Sequence, residues 1–200
     1  MDRLKSHAEK RDPCKICGVN LKKERCSCSK ITAPSFGSIF SIFDFDNDLK
    51  KIVHKFKYSG LKNIATYTAS EFSTFIPNDL IGKCDIAVPV PLHFFRERKR
   101  GFNQAKTLSK GLLDNFNIEI IDLLERVKHT KTQTALDSKK RSRNLTRAIR
   151  VKQKYSDKLQ NKNILLIDDV ITTTATAEVC SLSMIEAGAK SVTLLSLARA

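Results

Sequence analysis

Residues 164–176 read Ile164-Leu165-Leu166-Ile167-Asp168-Asp169-Val170-Ile171-Thr172-Thr173-Thr174-Ala175-Thr176. The stretch combines a continuous apolar run, two adjacent carboxylates and a hydroxyl-rich turn that leads into a helix. A continuous apolar run of this length is typical of a parallel strand that is buried on both faces. Open α/β sheets bind ligands beyond the carboxyl ends of their strands, which is where Asp168 and Asp169 are expected to lie. The stretch therefore predicts an α/β fold with a binding site at this point.

Other parts of the chain show the same alternation of strand and helix. Apolar runs predict strands at residues 86–91, 118–121, 164–167 and 191–198, and helical spacing predicts helices at residues 49–56, 63–75, 105–116 and 175–187, the last closed by Gly188. Strands that alternate with helices indicate a parallel sheet flanked by helices. We assign residues 34–200 to this α/β domain, and residues 1–33 to a small cysteine-rich appendage.

The charge of the chain points to an anionic partner. Thirty-six Lys and Arg residues against twenty-one Asp and Glu residues give a net charge of +15. A field of this sign attracts nucleic acid or polyphosphorylated small molecules. No apolar run approaches the roughly 18 residues that span a bilayer, and the N-terminus lacks the apolar core of a signal peptide. We therefore expect a cytoplasmic protein without membrane insertion.

The residue types around Asp168 suit a phosphorylated sugar. Paired carboxylates accept hydrogen bonds from vicinal ribose hydroxyls and assist Mg²⁺, usually through water. The following turn offers backbone amides and a positive helix end to a phosphate group. The candidate phosphate ligands are Thr172, Thr173, Thr174, Ala175 and Thr176. The alternative is that these residues only cap the helix, because Asp and Thr are common N-cap residues.

Residues 166–176 closely resemble the phosphoribosyl pyrophosphate (PRPP) motif of the type I phosphoribosyltransferases. The match continues along the chain, where several further segments are similar to the ComF family, the competence-associated branch of that class. These segments are Val88-Pro89-Val90-Pro91-Leu92, Arg100-Gly101-Phe102-Asn103-Gln104-Ala105, Arg126 with Thr132-Gln133, Arg141 with Asn144-Leu145, Leu197-Ala198-Arg199 and the N-terminal cysteine cluster. One position departs from the family pattern, which has glycine where this chain has Thr174. Threonine disfavours positive φ, so this exchange weakens the phosphate cradle unless the added hydroxyl donates to the phosphate.

The resemblance implies a fold, ligands and partners. It implies a type I phosphoribosyltransferase-like sheet that binds PRPP with Mg²⁺, in which Asp168 and Asp169 hold ribose and metal and serve as the catalytic residues. It also implies a role in DNA uptake, with single-stranded DNA and a competence helicase as possible partners. No residue identifies an acceptor, so transferase activity stays possible and its acceptor unknown.

Basic residues are concentrated in two places that the resemblance puts near the ligand. The loop after the first core strand carries Arg96, Arg98, Lys99 and Arg100, which suit pyrophosphate because guanidinium groups bind phosphate oxygens in pairs. Residues 126–154 hold eleven Lys or Arg residues and one acid, and they look like the mobile hood of the class. Within the hood, Arg141 and Arg143 are candidates for pyrophosphate or nucleic-acid contact. The alternative for both segments is a solvated basic surface.

Four cysteines are grouped in the appendage. Cys14 and Cys17 form a zinc knuckle, and Cys26 and Cys28 supply a second pair of thiolates for a closed, structural Zn²⁺ site. The one-residue spacing of the second pair makes its geometry less certain, so His7 is a possible substitute ligand. The two remaining cysteines, Cys84 and Cys180, are expected to be buried thiols.

Three functions are compatible with the sequence. The first is a phosphoribosyltransferase acting on PRPP. The second is a competence accessory that binds single-stranded DNA without transferase activity. The third is a scaffold that has lost its ligand, which the paired carboxylates make the weakest of the three. The best interpretation is a PRPP-binding fold that works in DNA uptake or processing.

Overall fold

The computed structural model describes residues 8, 11–14, 16–23, 25–26, 34–58, 62–92, 94–127 and 148–200, with the side chains of residues 55–58, 62–65, 96 and 99 left out. The elements in chain order are β1 (Ser38–Asp44), α1 (Asn47–Tyr58), α2 (Lys62–Phe72), a 3₁₀ turn (Ser73–Phe75), α3 (Asn78–Ile81), β2 (Ile86–Pro89), α4 (Phe94–Arg100), α5 (Gln104–Leu112), β3 (Glu119–Ile120), β4 (Leu124–Arg126), β5 (Ile149–Val151), a second 3₁₀ segment (Gln153–Leu159), β6 (Asn163–Ile171), α6 (Ala175–Glu186) and β7 (Ser191–Arg199).

Five strands form a parallel sheet in the order β1-β7-β6-β2-β3. From β2 the chain moves outward to β3 on one side, whereas from β6 it moves outward to β7 on the other side. The strand order therefore reverses between β2 and β6, which is the position where open α/β sheets form a ligand crevice. β4 and β5 make a separate antiparallel ribbon.

The two faces of the sheet are covered by different elements. One buried cluster joins Ile164 and Leu166 of β6 to α6 and the β4-β5 ribbon. The other joins Leu165 and Ile167 of β6 to α1, α2 and α5. Because alternate residues of β6 are buried on both faces, the strand has to be apolar throughout its first half. The predicted fold class, a parallel sheet flanked by helices, is confirmed.

The predicted elements are found close to their expected positions, with three corrections. The strand β1 was not predicted, although its Ile39, Ile42 and Phe43 are buried. Residues 94–100 form the helix α4 rather than the expected loop. The ends of the expected hood are also regularly structured, because β4 and β5 pair there and Ile149 is buried, although the Arg150 side chain is exposed. The division into two domains at residue 33 stays a prediction.

The described part of the N-terminal segment is docked on the end of β1 by a charged cluster. The Arg11 side chain is only 4% exposed, and its Nε donates to Asp44 Oδ1 over 2.7 Å. The same guanidinium donates to the backbone oxygens of Ser41 and Gly18. Asp44 Oδ2 also accepts from Asn20 Nδ2 at 2.9 Å and contacts Lys23 Nζ at 2.7 Å. These bonds join the segment to the sheet.

The same bonds set the protonation of Asp44. Burial raises the pKa of Asp44, but hydrogen bonds from Lys23 and Asn20 and the charge of Arg11 outweigh it, so the pKa lies below its ordinary value of 3.8. A carboxyl whose pKa is depressed in the folded state stabilises the fold at every pH above its unfolded-state pKa. This contribution is therefore complete at neutral pH and is lost as the pH falls through the folded-state pKa.

We predict that Asp44→Ala lowers the free energy of unfolding by about 3 kcal/mol at pH 7, because it leaves the buried Arg11 charge without its carboxylate. The matched control is Asp79→Ala, which removes a carboxylate that is 74% exposed and paired with Lys83. The control should cost less than about 0.5 kcal/mol. Urea unfolding of both variants measures the difference, and equal losses would contradict the role given to Asp44.

Candidate functional site

The two carboxylates lie within β6 rather than after it, which corrects the sequence-based prediction. β6 pairs with β7 as far as Ile171, but its pairing with β2 ends where Pro89 lies opposite Ile167. Val90 N still donates to Ile167 O at 2.8 Å, and beyond this bond β2 leaves the sheet. Asp168 and Asp169 therefore lie past the end of β2, on the wall of the crevice between the two strands.

The carboxylates of Asp168 and Asp169 leave β6 toward opposite faces of the sheet. Successive side chains of a strand alternate between faces, so Asp168 shares the α6 face with Leu166, and Asp169 shares the α5 face with Ile167. Asp168 Oδ1 accepts from Asp169 N, and Asp169 Oδ1 accepts from Val170 N, both at 2.8 Å. These short local bonds orient both half-buried carboxylates.

The turn after β6 leads directly into a helix. Thr172 and Thr173 are exposed, and Thr174 is the N-cap of α6 without a hydrogen bond from its side chain. The first backbone amides of this helix of 12 residues point toward the carboxyl end of the sheet. Helix N-termini of this kind bind anions through their amides and their dipole. Ala175 and Thr176, the other predicted phosphate ligands, belong to this first turn.

The backbone of Thr174 is compatible with threonine. Its φ is −75° and its ψ is 0°, in the right-handed helical region that any residue adopts. A glycine is required only where φ is positive, so this conformation gives no strain at Thr174. The concern that threonine distorts the phosphate cradle is not supported in this conformation.

The end of β2 is held against the start of α5 by Asn103. Its Nδ2 donates to Val90 O at 3.0 Å, and its Oδ1 accepts from Ala105 N at 3.0 Å, so Asn103 caps the helix. Gln104 is buried, and its Oε1 accepts from Arg100 Nη1 at 3.1 Å. The loop from β2 is thereby fixed beside the crevice.

The predicted basic contacts have different outcomes. Arg98 is exposed on α4 and Arg100 is half-buried. Arg96 and Lys99 belong to the same helix, but their side chains lie outside the described part. Arg141 and Arg143 lie outside the described residues altogether.

Arg199 connects the cysteine-rich segment to the end of β6. Its Nε donates to Cys17 O at 3.0 Å, and its Nη1 donates to Ile171 O at 3.0 Å and to Thr172 O at 2.8 Å. One guanidinium thus holds the backbone of both the knuckle and the turn after β6. The sequence analysis noted Arg199 only as part of the resemblance and did not find this contact.

Two charged residues, Asp168 and Arg126, are near enough to the buried thiol of Cys180 to influence its pKa. Burial raises the pKa of Cys180, the charge of Asp168 raises it further, and the charge of Arg126 opposes the rise. Both charged groups are therefore near Cys180, which places Arg126 of β4 on the same side of β6 as Asp168. Cys84 is half-buried, and burial together with Asp85 raises its pKa to about 11. These shifts disfavour the thiolate form of both cysteines at neutral pH.

Three of the four predicted zinc ligands come together in the structure. The Sγ atoms of Cys14, Cys17 and Cys26 all lie within 4.8 Å of one another. Cys26 Sγ is 3.3 Å from Cys14 Sγ and 3.5 Å from Cys17 Sγ. A tetrahedral Zn²⁺ with Zn–S bonds of about 2.3 Å requires an S–S distance of about 3.8 Å, so small shifts would accommodate the ion. Cys28 and His7 lie outside the described residues.

The backbone around the cysteines has the form of a tight knuckle. Gly18 N donates to Cys14 O at 2.9 Å, and Cys14 N donates to Val19 O at 2.8 Å. Gly18 has φ of +71°, and a Cβ placed there would lie 2.9 Å from the Ile39 side chain. Glycine is needed at this position both for the turn and for close contact with β1.

Among the described residues, no helix has the length and apolarity needed to cross a bilayer.

The chain is similar in sequence to proteins named for competence and DNA utilization. It is 29% identical to competence protein F of Haemophilus influenzae over 196 residues, covering 94% of this chain and 84% of that protein. It is 32% identical to competence protein ComFC of Bacillus subtilis over 160 residues, covering 80% of this chain and 63% of that protein. It is 26% identical to the DNA utilization protein YhgH of Escherichia coli over 200 residues, covering 93% of this chain and 83% of that protein. No family model matches the chain.

Two solved structures of enzymes match parts of the chain. The allosteric regulatory enzyme of purine biosynthesis matches with a TM-score of 0.41 and 16% identity, covering 70% of this chain and 25% of that chain. A hypoxanthine phosphoribosyltransferase of Staphylococcus aureus matches with a TM-score of 0.36 and 11% identity, covering 69% of this chain and 62% of that chain. The chain thus spans a quarter of the first protein and less than two thirds of the second.

We predict that Cys14→Ser/Cys17→Ser removes zinc from the purified protein, because it deletes two of the clustered thiolates. The control is Cys84→Ser, which removes a thiol outside the cluster and should leave the zinc content unchanged. Elemental analysis of the three proteins, normalised to protein concentration, measures the effect. Equal zinc content in all three, or no zinc in the wild type, would contradict the assignment.

Proposed function

The chain belongs to the ComF family, and from this premise we propose that it binds PRPP with Mg²⁺ in the crevice between β2 and β6 and works in DNA uptake. The observation that carries the proposal is that Asp168, Asp169 and the N-terminus of α6 all lie past the end of β2, at the same edge of the sheet. This arrangement offers carboxylates to a ribose and amides to a phosphate from adjacent positions.

Different residues of the chain would recognise different parts of PRPP. Asp168, on the α6 face, lies on the side of the phosphate turn, and Asp169 lies on the side of α5 and the β2 loop. Ribose hydroxyls donate to these carboxylates, while the amides and hydroxyls of Thr172 and Thr173 donate to the 5-phosphate. Mg²⁺ would be held through water by the carboxylates and would neutralise the pyrophosphate. Arg100, fixed by Gln104 at the neighbouring loop, provides positive charge close to this end of the site.

Transferase chemistry is the first form of this function. The bond between ribose C1 and the pyrophosphate oxygen breaks with its electron pair on pyrophosphate, and an acceptor nucleophile forms the new bond to C1. Positioning and electrostatic stabilisation of the leaving pyrophosphate would supply the acceleration. The raised pKa values of Cys84 and Cys180 make both thiols poor nucleophiles for this step.

A binding function without transfer is the second form. The net charge of +15 and the basic helix α4 favour a protein that handles single-stranded DNA, with PRPP as a regulatory ligand. The names of the relatives, competence and DNA utilization proteins, support the biological setting. A competence helicase is the partner that we propose for this setting.

We predict that the wild type binds PRPP saturably in the presence of Mg²⁺, and that Asp168→Asn/Asp169→Asn weakens binding at least 100-fold. Each substitution removes a charge-assisted hydrogen bond, which contributes about 1.5–3 kcal/mol. Isothermal titration calorimetry with and without EDTA measures both effects. The matched control is Asp79→Asn/Asp157→Asn, which removes two exposed carboxylates elsewhere. No binding by the wild type, or equal binding by the double variant, would overturn the assignment of the crevice.

We predict that Thr174→Gly does not strengthen PRPP binding, because the φ of −75° at Thr174 is already open to every residue. The change should leave the affinity within about 3-fold and lower the stability by up to about 1 kcal/mol, since glycine is freer in the unfolded chain. Titration of PRPP and urea unfolding measure the two effects. A tenfold gain in affinity would instead mean that the bound turn requires positive φ.

A further inference from the structure

Two aromatic side chains are exposed next to each other on α4. Phe94 is 62% exposed and Phe95 is 64% exposed, and their ring centroids are 5.9 Å apart at an interplanar angle of 66°. Burying a phenylalanine side chain contributes about 1.5–3 kcal/mol of free energy. A partner that covered both exposed rings would therefore gain substantial binding free energy. Adjacent exposed apolar groups of this kind mark interaction surfaces.

The charge of α4 indicates which partner fits the aromatic pair. The seven residues of this helix include four Lys or Arg residues and a single acid, Glu97. Arg98 is exposed and lies one helical turn from Phe94, so a ring and a guanidinium share one face. Aromatic rings next to positive charges bind unpaired nucleotides, because bases stack on rings while phosphates attract the cations.

A groove continues this surface from the end of α4 between α2 and α5. It has a volume of about 740 Å³. Its lining includes Tyr67, Lys106 and Lys110 together with the hydroxyl groups of Ser70 and Thr107. Tyr67 is 69% exposed, which makes it a third accessible ring. A groove that received an apolar helix would be lined by aliphatic side chains, whereas this lining is mainly polar and also includes Phe102 and the carboxylates of Glu97 and Asp114.

The close packing of α5 against α2 determines where the groove lies. Gly111 of α5 faces α2 so closely that a Cβ would lie 2.2 Å from Thr66 O and 2.6 Å from Ala69 Cβ. The two helices touch at this point, and the groove opens beside it, toward Gly101 and Asn103. A surface held by helix packing is preorganised for binding.

We propose that α4 and this groove form a binding surface for single-stranded nucleic acid, in which Phe94 and Phe95 stack on bases while Arg98, Lys106 and Lys110 contact phosphates. The proposal rests on the proposed function in DNA handling and names the surface responsible. Only residues 90–93 separate the end of β2 from α4, so a bound nucleic-acid strand would run past the rim of the crevice.

Binding of a fluorescein-labelled oligothymidylate, followed by anisotropy, tests the stacking. Phe94→Ala and Phe95→Ala should each weaken binding about 10-fold, the amount expected for the loss of one stacked base. The control is Ile185→Ala, which removes an exposed apolar side chain from α6 and should leave the affinity unchanged. Because Phe94 and Phe95 are exposed, thermal unfolding of the variants should match the wild type.

An abasic strand of the same length separates stacking from charge. It carries phosphates without bases, so the wild type and both Phe variants should bind it equally. Lys110→Gln should instead weaken binding to both strands and reduce the slope of log affinity against log salt by about 0.7, as expected for one phosphate contact. Its control is Lys190→Gln, an exposed lysine before β7, which should leave the slope unchanged.

Three outcomes would overturn the proposal. The first is a thymidylate affinity that the Phe substitutions do not change. The second is loss of binding to phosphatidylglycerol vesicles in the Phe variants while DNA binding stays intact, which would assign the aromatic pair to a membrane surface. The third is a wild type that binds no DNA, which would also end the DNA part of the proposed function. PRPP titration is independent of all three, so failure of the crevice and failure of this surface are distinguishable.

Discussion

The backbone of β6 is hydrogen-bonded to β7 along its whole length but to β2 only as far as Ile167. The four residues beyond Ile167 are therefore paired on one side and face the crevice on the other. Because β2 departs where Asp168 begins, both carboxylates are accessible without leaving the support of the sheet. If β2 continued in register for two more residues, its backbone would cover this edge and the crevice would close.

The same end of the sheet is held from the other side by two arginines. Arg11 bonds to Asp44, Ser41 and Gly18 at the end of β1, and Arg199 bonds to Cys17, Ile171 and Thr172 at the ends of β7 and β6. Arg199 uses backbone oxygens as partners, whereas Arg11 combines two backbone oxygens with the carboxylate of Asp44. The knuckle is thus part of the framework around the phosphate turn and does not stand apart from it.

Local patterns were sufficient for most of the sheet and for the centre of the site. The apolar run before Asp168, the cap at Asn103 and the helix end at Gly188 all depend on neighbours in the sequence, and the structure contains each of them. β1 was missed because its serines interrupt the apolar pattern. In the structure, the hydroxyl groups of Ser41 and Ser196 bond to each other at 2.7 Å inside the sheet, which makes a polar residue compatible with burial.

The contacts that sequence analysis missed join residues far apart in the chain. Arg199 and Cys17 are separated by 182 positions, and Ser35 donates to the Glu178 carboxylate across 143 positions. No sequence periodicity indicates such pairs, because they form only when folding brings distant segments of the chain together. The Ile and Phe residues between Gly37 and Asp44 could have predicted β1. That prediction would have needed the assumption that Ser41 is buried.

The position of α4 indicates how one domain would accommodate the two proposed ligands, a small anionic one and a long one. The loop after β2 is part of the crevice at Val90, where Asn103 fixes it, and within a few residues it becomes a helix with exposed rings. Pyrophosphate needs a few charges in a confined space, whereas a nucleic-acid strand needs charges and rings spread along a surface. A single segment that leaves the crevice and immediately becomes an exposed basic helix meets both requirements, so the two ligands would meet at the carboxyl end of β2.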